Sequence, residues 1–171
     1  MGLLADSVKL LAAVLLVQSC AKAPASSVPS PASERQVSFS LPSDDGKLVT
    51  LPLPNVTTVM DAWAPSCKPC RDKLPALFAR RTEMDAHGGK LVLVAVLSES
   101  ESTEDARAAL TSWGVSAPFL IDRGDVLRRE AGVASLPATL VIDQQQHVRW
   151  TAPTSASADD VVLAARRVSG R

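Results

Sequence analysis

Residues Val59–Cys70 read VMDAWAPSCKPC. Val59-Met60-Asp61-Ala62 is strand-like, and Cys67-Lys68-Pro69-Cys70 opens a segment in which Leu74, Leu77, Phe78 and Met84 recur at helical spacing. Two residues between cysteines put both sulfurs on one helical turn, close enough for a short disulfide. The first sulfur then lies at the helix N-terminus, where unpaired N–H groups and the macrodipole favour an anion. The thiolate is the form that attacks disulfides, so this stretch points to thiol–disulfide exchange.

Other uses of a Cys-x-x-Cys fit this chain poorly. A zinc site needs four ligands, and beyond this pair the chain offers only Cys20, His87 and His147 from those two residue types. A c-type haem site needs His directly after the second cysteine; Arg71 stands there. A purely structural disulfide across two residues closes too small a loop to stabilise much.

The chain has 171 residues, enough for one domain with a sizeable core and additional segments. Lys and Arg (18) balance Asp and Glu (18), so no global field recruits nucleic acid. At 46% hydrophobic residues the composition is that of a globular protein.

The apolar run Leu10–Val17 is too short to span a bilayer and suits the apolar region of a signal peptide. It ends in Val17-Gln18-Ser19-Cys20, which resembles the bacterial lipobox. That resemblance implies cleavage before Cys20 and acylation of its thiol. Residues 1–19 are therefore expected to be a lipoprotein signal peptide. Residues 20–35, rich in Ala, Ser and Pro, read as a tether.

From Gln36 onward short β-like and helical segments alternate, which argues for an α/β domain over 36–171. Val37–Leu41 and Leu48–Leu51 flank the turn Asp44-Asp45-Gly46 and predict a hairpin that Pro52 ends. Val56–Ala62 leads to the cysteines, and Leu91–Leu97 reads as a central strand buried on both faces. Ser102-Thr103-Glu104-Asp105 predicts a cap before a helix over Ala106–Trp113. Phe119–Ile121 reads as a strand and Val126–Ala131 as a short helix stopped by Gly132. Thr139–Ile142 and Val148–Trp150 predict a second hairpin, and Ala158–Val168 a closing helix.

With these motifs in place, the chain resembles the thioredoxin superfamily over nearly all of Gln36–Arg167. Asp61-Ala62-Trp63-Ala64 with Cys67-Lys68-Pro69-Cys70 is similar to the Asp-Phe-Trp-Ala and Cys-Gly-Pro-Cys of thioredoxin, at the same spacing. Pro75 matches the proline of the active-site helix, and Pro137 matches the family's cis-proline. The extra strand at Phe119–Asp122 and the Ala131-Gly132-Val133 turn resemble the TlpA/ResA branch of extracytoplasmic thiol–disulfide oxidoreductases, which often serve cytochrome c maturation. The resemblance implies a central mixed sheet flanked by helices, with an N-terminal hairpin and an extra βα insertion. Three positions depart from the pattern. Ser66 replaces the Trp that precedes the first cysteine of thioredoxin. The strand Val94-Ala95-Val96 is apolar where thioredoxin supplies a Lys to its buried Asp. Lys73 stands where some branch members carry Glu.

The implied roles follow. Cys67 is the exposed nucleophile, and its helix-terminal position together with Lys68 lowers its thiol pKa from about 8.5 towards 7. Cys70, one turn deeper, stays protonated until it resolves the mixed disulfide. Asp61 sits on a strand among apolar residues, so burial raises its pKa and suits it to take the Cys70 proton; it reads alternatively as a strand-end hydrogen-bonding residue. Trp63 and Pro65 shape the loop before the nucleophile, though Trp63 reads equally as core. Pro69 presets helical φ in the first turn. A cis Leu136–Pro137 bond would put the carbonyl and side chain of Leu136 beside Cys67, where a partner's backbone can pair. His87 reads as a helix C-terminal residue, His147 as a solvated turn residue, and Glu99–Asp105 as a solvated helix start.

The expected activity is reduction of disulfides in extracytoplasmic partner proteins by a membrane-anchored lipoprotein facing the periplasm. No cofactor is needed, because the dithiol carries the two electrons, but a membrane electron donor must re-reduce it. The alternative of another class is a copper-handling binding protein of similar fold, which would use wider cysteine spacing and a downstream His ligand. A peroxiredoxin would carry Thr three residues before the reactive cysteine, where Ala64 stands.

Overall fold

A computed structural model describes residues 35–170. The expected signal peptide (1–19), Cys20 and the tether up to Glu34 lie outside the described residues.

Strands β1 (Phe39–Pro42) and β2 (Leu48–Leu51) pair antiparallel across a turn in which Gly46 takes φ +86°. A side chain would be strained at that angle, which accounts for glycine in the turn. Pro52 follows β2 through a cis peptide bond, a feature the sequence reading did not anticipate.

Next come β3 (Thr57–Trp63), α1 (Lys68–Ala79), α2 (Arg81–Ala86) and β4 (Gly89–Val96). The helical period beyond Cys70 predicted continuity as far as Met84, but Arg80 (φ −93°, ψ 4°) divides the segment into α1 and α2. Pro75 sits inside α1. Then follow α3 (Thr103–Ser112), β5 (Phe119–Asp122), β6 (Ala138–Ile142), β7 (Val148–Thr151) and α4 (Ala158–Ser169). Capping boxes start both α3 (Ser102 with Asp105) and α4 (Ser157 with Asp160), the first as the sequence predicted.

The central sheet runs β5-β4-β3-β6-β7. β3, β4 and β5 are parallel, while β6 and β7 run antiparallel to their neighbours. This is the mixed, helix-flanked α/β sheet expected from the sequence. β3 lies at its centre and is buried at all seven positions. Period-two alternation divides its side chains between two faces. Met60 and Ala62 join Phe39, Leu41, Leu51, Leu127 and Leu140 in one core. Trp63 packs with Leu74, Leu110 and Phe119, and Val59 with Leu77, Met84, Val161 and Ala165, in the cores formed with the helices. Asp61 shares the parity of Val59 and Trp63, so it is carried into the interior on the α1 side.

Two expectations need correction. β4 is not buried along its whole length: Leu91, Val92 and Val96 are half-buried. For Leu91 and Val92 the reason is register, since β5 pairs only with Leu93–Val96 and leaves the start of β4 uncovered; Val96, though paired, lines a small cavity beside Leu136. The short helix expected at Val126–Ala131 is a single π-helical turn, Leu127–Ala131. The buried Asp122 carboxylate holds its start by accepting from the N–H groups of Gly124, Val126 and Leu127 at 3.0, 3.0 and 2.8 Å. Gly132, at φ +72°, ends it.

Candidate active site

β3 delivers the chain to the N-terminus of α1, and there Cys67 is the N-cap residue. Its sulfur accepts the N–H of Cys70 at 3.3 Å, so the helix terminus already directs a donor at the atom that would carry negative charge. Cys67 and Cys70 are joined by a disulfide with Cα atoms 5.3 Å apart. Cys67 is partly exposed while Cys70 is buried in the core with Leu74. The two sulfurs are thus chemically unequal: an external partner reaches the first and not the second. Lys68 and Pro69 occupy the exposed first turn, which contains no acidic residue.

Asp61 is 1% exposed. Its Oδ2 accepts the Thr139 hydroxyl at 2.6 Å, and β3–β6 register places Thr139 directly opposite. Sequence comparison suggested an Asp61 without a cation, because the central strand supplies none. The structure corrects this. Lys73, one turn beyond Cys70 on α1, brings its Nζ within 3.4 Å of Asp61 Oδ2 and donates to the Thr139 hydroxyl. A helix residue therefore provides the charge that the strand does not. Burial pushes the Asp61 carboxyl above its ordinary range, and the Lys73 charge and Thr139 hydrogen bond pull back against it without cancelling it. Both donors converge on one side of the carboxylate, an arrangement suited to its charged form.

Leu136–Pro137 is cis, as expected. Pro137 lies one residue beyond the Ala62–Ala138 pair, so the sheet register holds it at the end of β3 from which the cysteine turn departs. Leu136 is half-buried and packs on the same core as Cys67. Pro65 is half-buried in the turn. Trp63 is wholly buried and meets Trp113 and Phe119 edge-on, with ring centroids 5.4 and 5.9 Å away. It supports the loop from the core and is not part of its surface.

Comparison with known proteins places this geometry. The AhpC/TSA family model matches residues 32–151. The chain belongs to the AhpC/TSA family. Thioredoxin-like protein YneN of Bacillus subtilis is 32% identical over 89 residues, 51% of this chain and 50% of that protein. Thiol-disulfide oxidoreductase ResA of Halalkalibacterium halodurans is 25% identical over 118 residues, 68% of this chain and 65% of the relative. The chain therefore matches about half to two thirds of the length of these relatives. A solved structure of a secreted thiol-disulfide isomerase from Corynebacterium glutamicum superposes with a TM-score of 0.69 at 21% identity, covering 80% of this chain and 86% of that one. The thioredoxin-like fold of this chain is shared with that solved structure.

Within this AhpC/TSA frame, three residues near the site escaped the sequence reading of roles. Lys73 carried a signal, lying three residues after Cys70 and hence near it on the helix. Thr139 became relevant only through strand register. Glu101, expected on a solvated helix start, instead turns back to the cysteine turn: its Oε1 accepts the Ser66 N–H at 3.3 Å. His87 caps the C-terminus of α2 as expected. His147 is not a freely solvated turn residue. It is half-buried, its backbone N–H is held by Asp143 at 2.9 Å, and its buried Nδ1 makes no hydrogen bond, with Asp143 Oδ1 3.8 Å away.

Proposed function

We propose that this protein is a thiol–disulfide oxidoreductase that reduces disulfides of extracytoplasmic partner proteins. The observation that carries the reading is the unequal pair at the start of α1: a partly exposed Cys67 capping the helix, linked to a buried Cys70. In the dithiol form, the Cys67 thiolate attacks a partner disulfide, forming a mixed disulfide and releasing one partner thiolate. Cys70 then gives its proton to Asp61 and attacks the Cys67 sulfur. The second partner thiolate leaves, and the protein disulfide closes. Two electrons pass to the partner, and a separate membrane donor restores the dithiol. Lys68, Pro65 and Pro69 shape and charge the approach, and the Leu136–Pro137 edge offers backbone groups to the partner chain.

The relatives named as thiol-disulfide oxidoreductases support this chemistry. A role in cytochrome c maturation and membrane anchoring through Cys20 belong to the same proposal. They rest on the resemblance to the TlpA/ResA branch and on the Val17-Gln18-Ser19-Cys20 motif.

The deciding experiment is partner trapping in the native host. A Cys70→Ser variant should accumulate mixed disulfides through Cys67, and Cys67→Ser should accumulate none. Equal trapping by both variants would remove the assigned order. Mass spectrometry of the mature N-terminus tests the anchor: an acylated Cys20 is expected, and any other start defeats it.

A further inference from the structure

Glu101 lies in the connection between β4 and α3, far from the cysteines in sequence, yet its carboxylate closes on the turn that presents Cys67. Oε1 accepts the Ser66 N–H at 3.3 Å. Oε2 accepts the N–H and hydroxyl of Ser98 at 3.0 and 2.9 Å. Arg123, on the segment after β5, donates to the Ser98 carbonyl at 3.2 Å and ties the same connection down from the other side. The turn itself is closed by the Cys67 N–H donating to the Ala64 carbonyl at 3.0 Å. Partial burial pushes the Glu101 carboxyl up, but the hydrogen bonds from Ser98 and Ser66 outweigh it and hold the group below its usual range. It is therefore an anion at neutral pH.

We propose that Glu101 is a positioning residue for Cys67: it clamps the backbone of the turn that presents the sulfur, and it holds a fixed negative charge against the thiolate. The charged groups around the turn act in both directions. The α1 terminus and Lys68 stabilise the thiolate, whereas Glu101 opposes it. Arg71 and Asp72 pair with each other on the exposed face of α1, and Lys73 is engaged by Asp61 on its inner side. Arg123 is directed to the Ser98 carbonyl. Asp122, Asp125 and Arg128 line the small cavity beside Leu136, the Asp122 carboxylate being taken up by the backbone N–H groups of Gly124, Val126 and Leu127. A thiolate made less stable disfavours the reduced form, so the pair donates electrons more readily. Glu101 thus biases the site towards reduction. This inference rests on the proposed role of Cys67 as the attacking thiol of a reductase.

The test uses the folded protein with its dithiol reduced. Glu101→Gln keeps an acceptor oxygen and removes the charge, and Glu101→Ala removes both. In Glu101→Gln, the pH dependence of Cys67 alkylation should move to lower pH by about half a unit, a roughly threefold faster reaction below the midpoint. Its equilibrium with glutathione should shift towards the dithiol. An unchanged or higher midpoint overturns the charge role. In Glu101→Ala, amide exchange at Ser66 should accelerate about fivefold, the loss of one hydrogen bond; undiminished protection overturns the clamp. Thiol titration needs no partner protein. A wild-type protein that titrates as described but reduces no protein disulfide would sink the reductase reading and leave the Glu101 result standing.

Discussion

At the scale of single residues, the proposed proton relay turns on how Asp61 is held. Its carboxyl is raised by burial and pulled back by Lys73 and Thr139, so the group that would take the Cys70 proton is a buried acid with one partly exposed cation. Lys73→Met removes the cation and keeps most of the side-chain length. The pH at which mixed-disulfide decay reaches half its maximum should rise by about one unit, while Lys73→Arg should restore it. Rapid-mixing kinetics across pH decide this; an unmoved profile would make Lys73 a packing residue. Asp61→Asn should slow resolution by a factor of about 10²–10⁴ while attack by Cys67 persists. The stability effect has a definite sign. A carboxyl whose folded pKa lies above its unfolded value of 3.8 favours folding most when protonated, below that value. That contribution disappears as pH rises through the folded pKa. Asp61→Asn should therefore raise Tm at neutral pH, with Lys73 turning to water. The advantage should shrink as pH falls towards 4, a trend that thermal melts at several pH values would show or refute.

At the scale of elements, the segment between β5 and β6 depends on one side chain. Asp122 satisfies three backbone N–H groups at the entry to the π-helical turn, and that turn leads to Leu136 and Pro137. Asp122→Ala should cost at least about 2 kcal/mol, because buried donors lose their acceptor. Asp122→Asn should cost less, since its amide oxygen still accepts. Urea denaturation gives both numbers, and equal loss in the two variants would show that charge, not hydrogen bonding, is what matters. The same elements explain why the helix was misread. Val126–Ala131 carries a helical apolar pattern, but it is too short to choose between α and π hydrogen bonding.

At the scale of the whole molecule, the N-terminal hairpin is part of the core. Val37, Phe39, Leu41 and Leu51 pack in one apolar cluster with Met60 and Leu140 of the central sheet. Each such side chain contributes about 1.5–3 kcal/mol when fully buried. A chain beginning at Leu53 would lose about 6–12 kcal/mol, comparable with the whole stability of an ordinary domain. It should show no cooperative unfolding by circular dichroism. A cooperative melt close to that of the longer chain would mean the hairpin is an accessory.

The local sequence by itself determined most of the elements and the place of Cys67 at the start of a helix. Period-two and helical apolar patterns mark the strands and helices, the Cys-x-x-Cys before a helical segment predicts the capping sulfur, and Pro137 carries the match to a cis-proline. These are legible because each depends on residues a few positions apart. Lys73 on Asp61, Thr139 opposite Asp61 and Glu101 on Ser66 were decided only by tertiary structure. Each joins side chains or backbone groups from different elements, across a sheet register or loop path that no local pattern records. The start of β4 shows the same limit: its apolar run says strand, but Leu91 and Val92 are left half-buried because β5 begins to pair only at Leu93. Local periodicity reports which face a residue takes; what meets it there is set by the packing of distant segments.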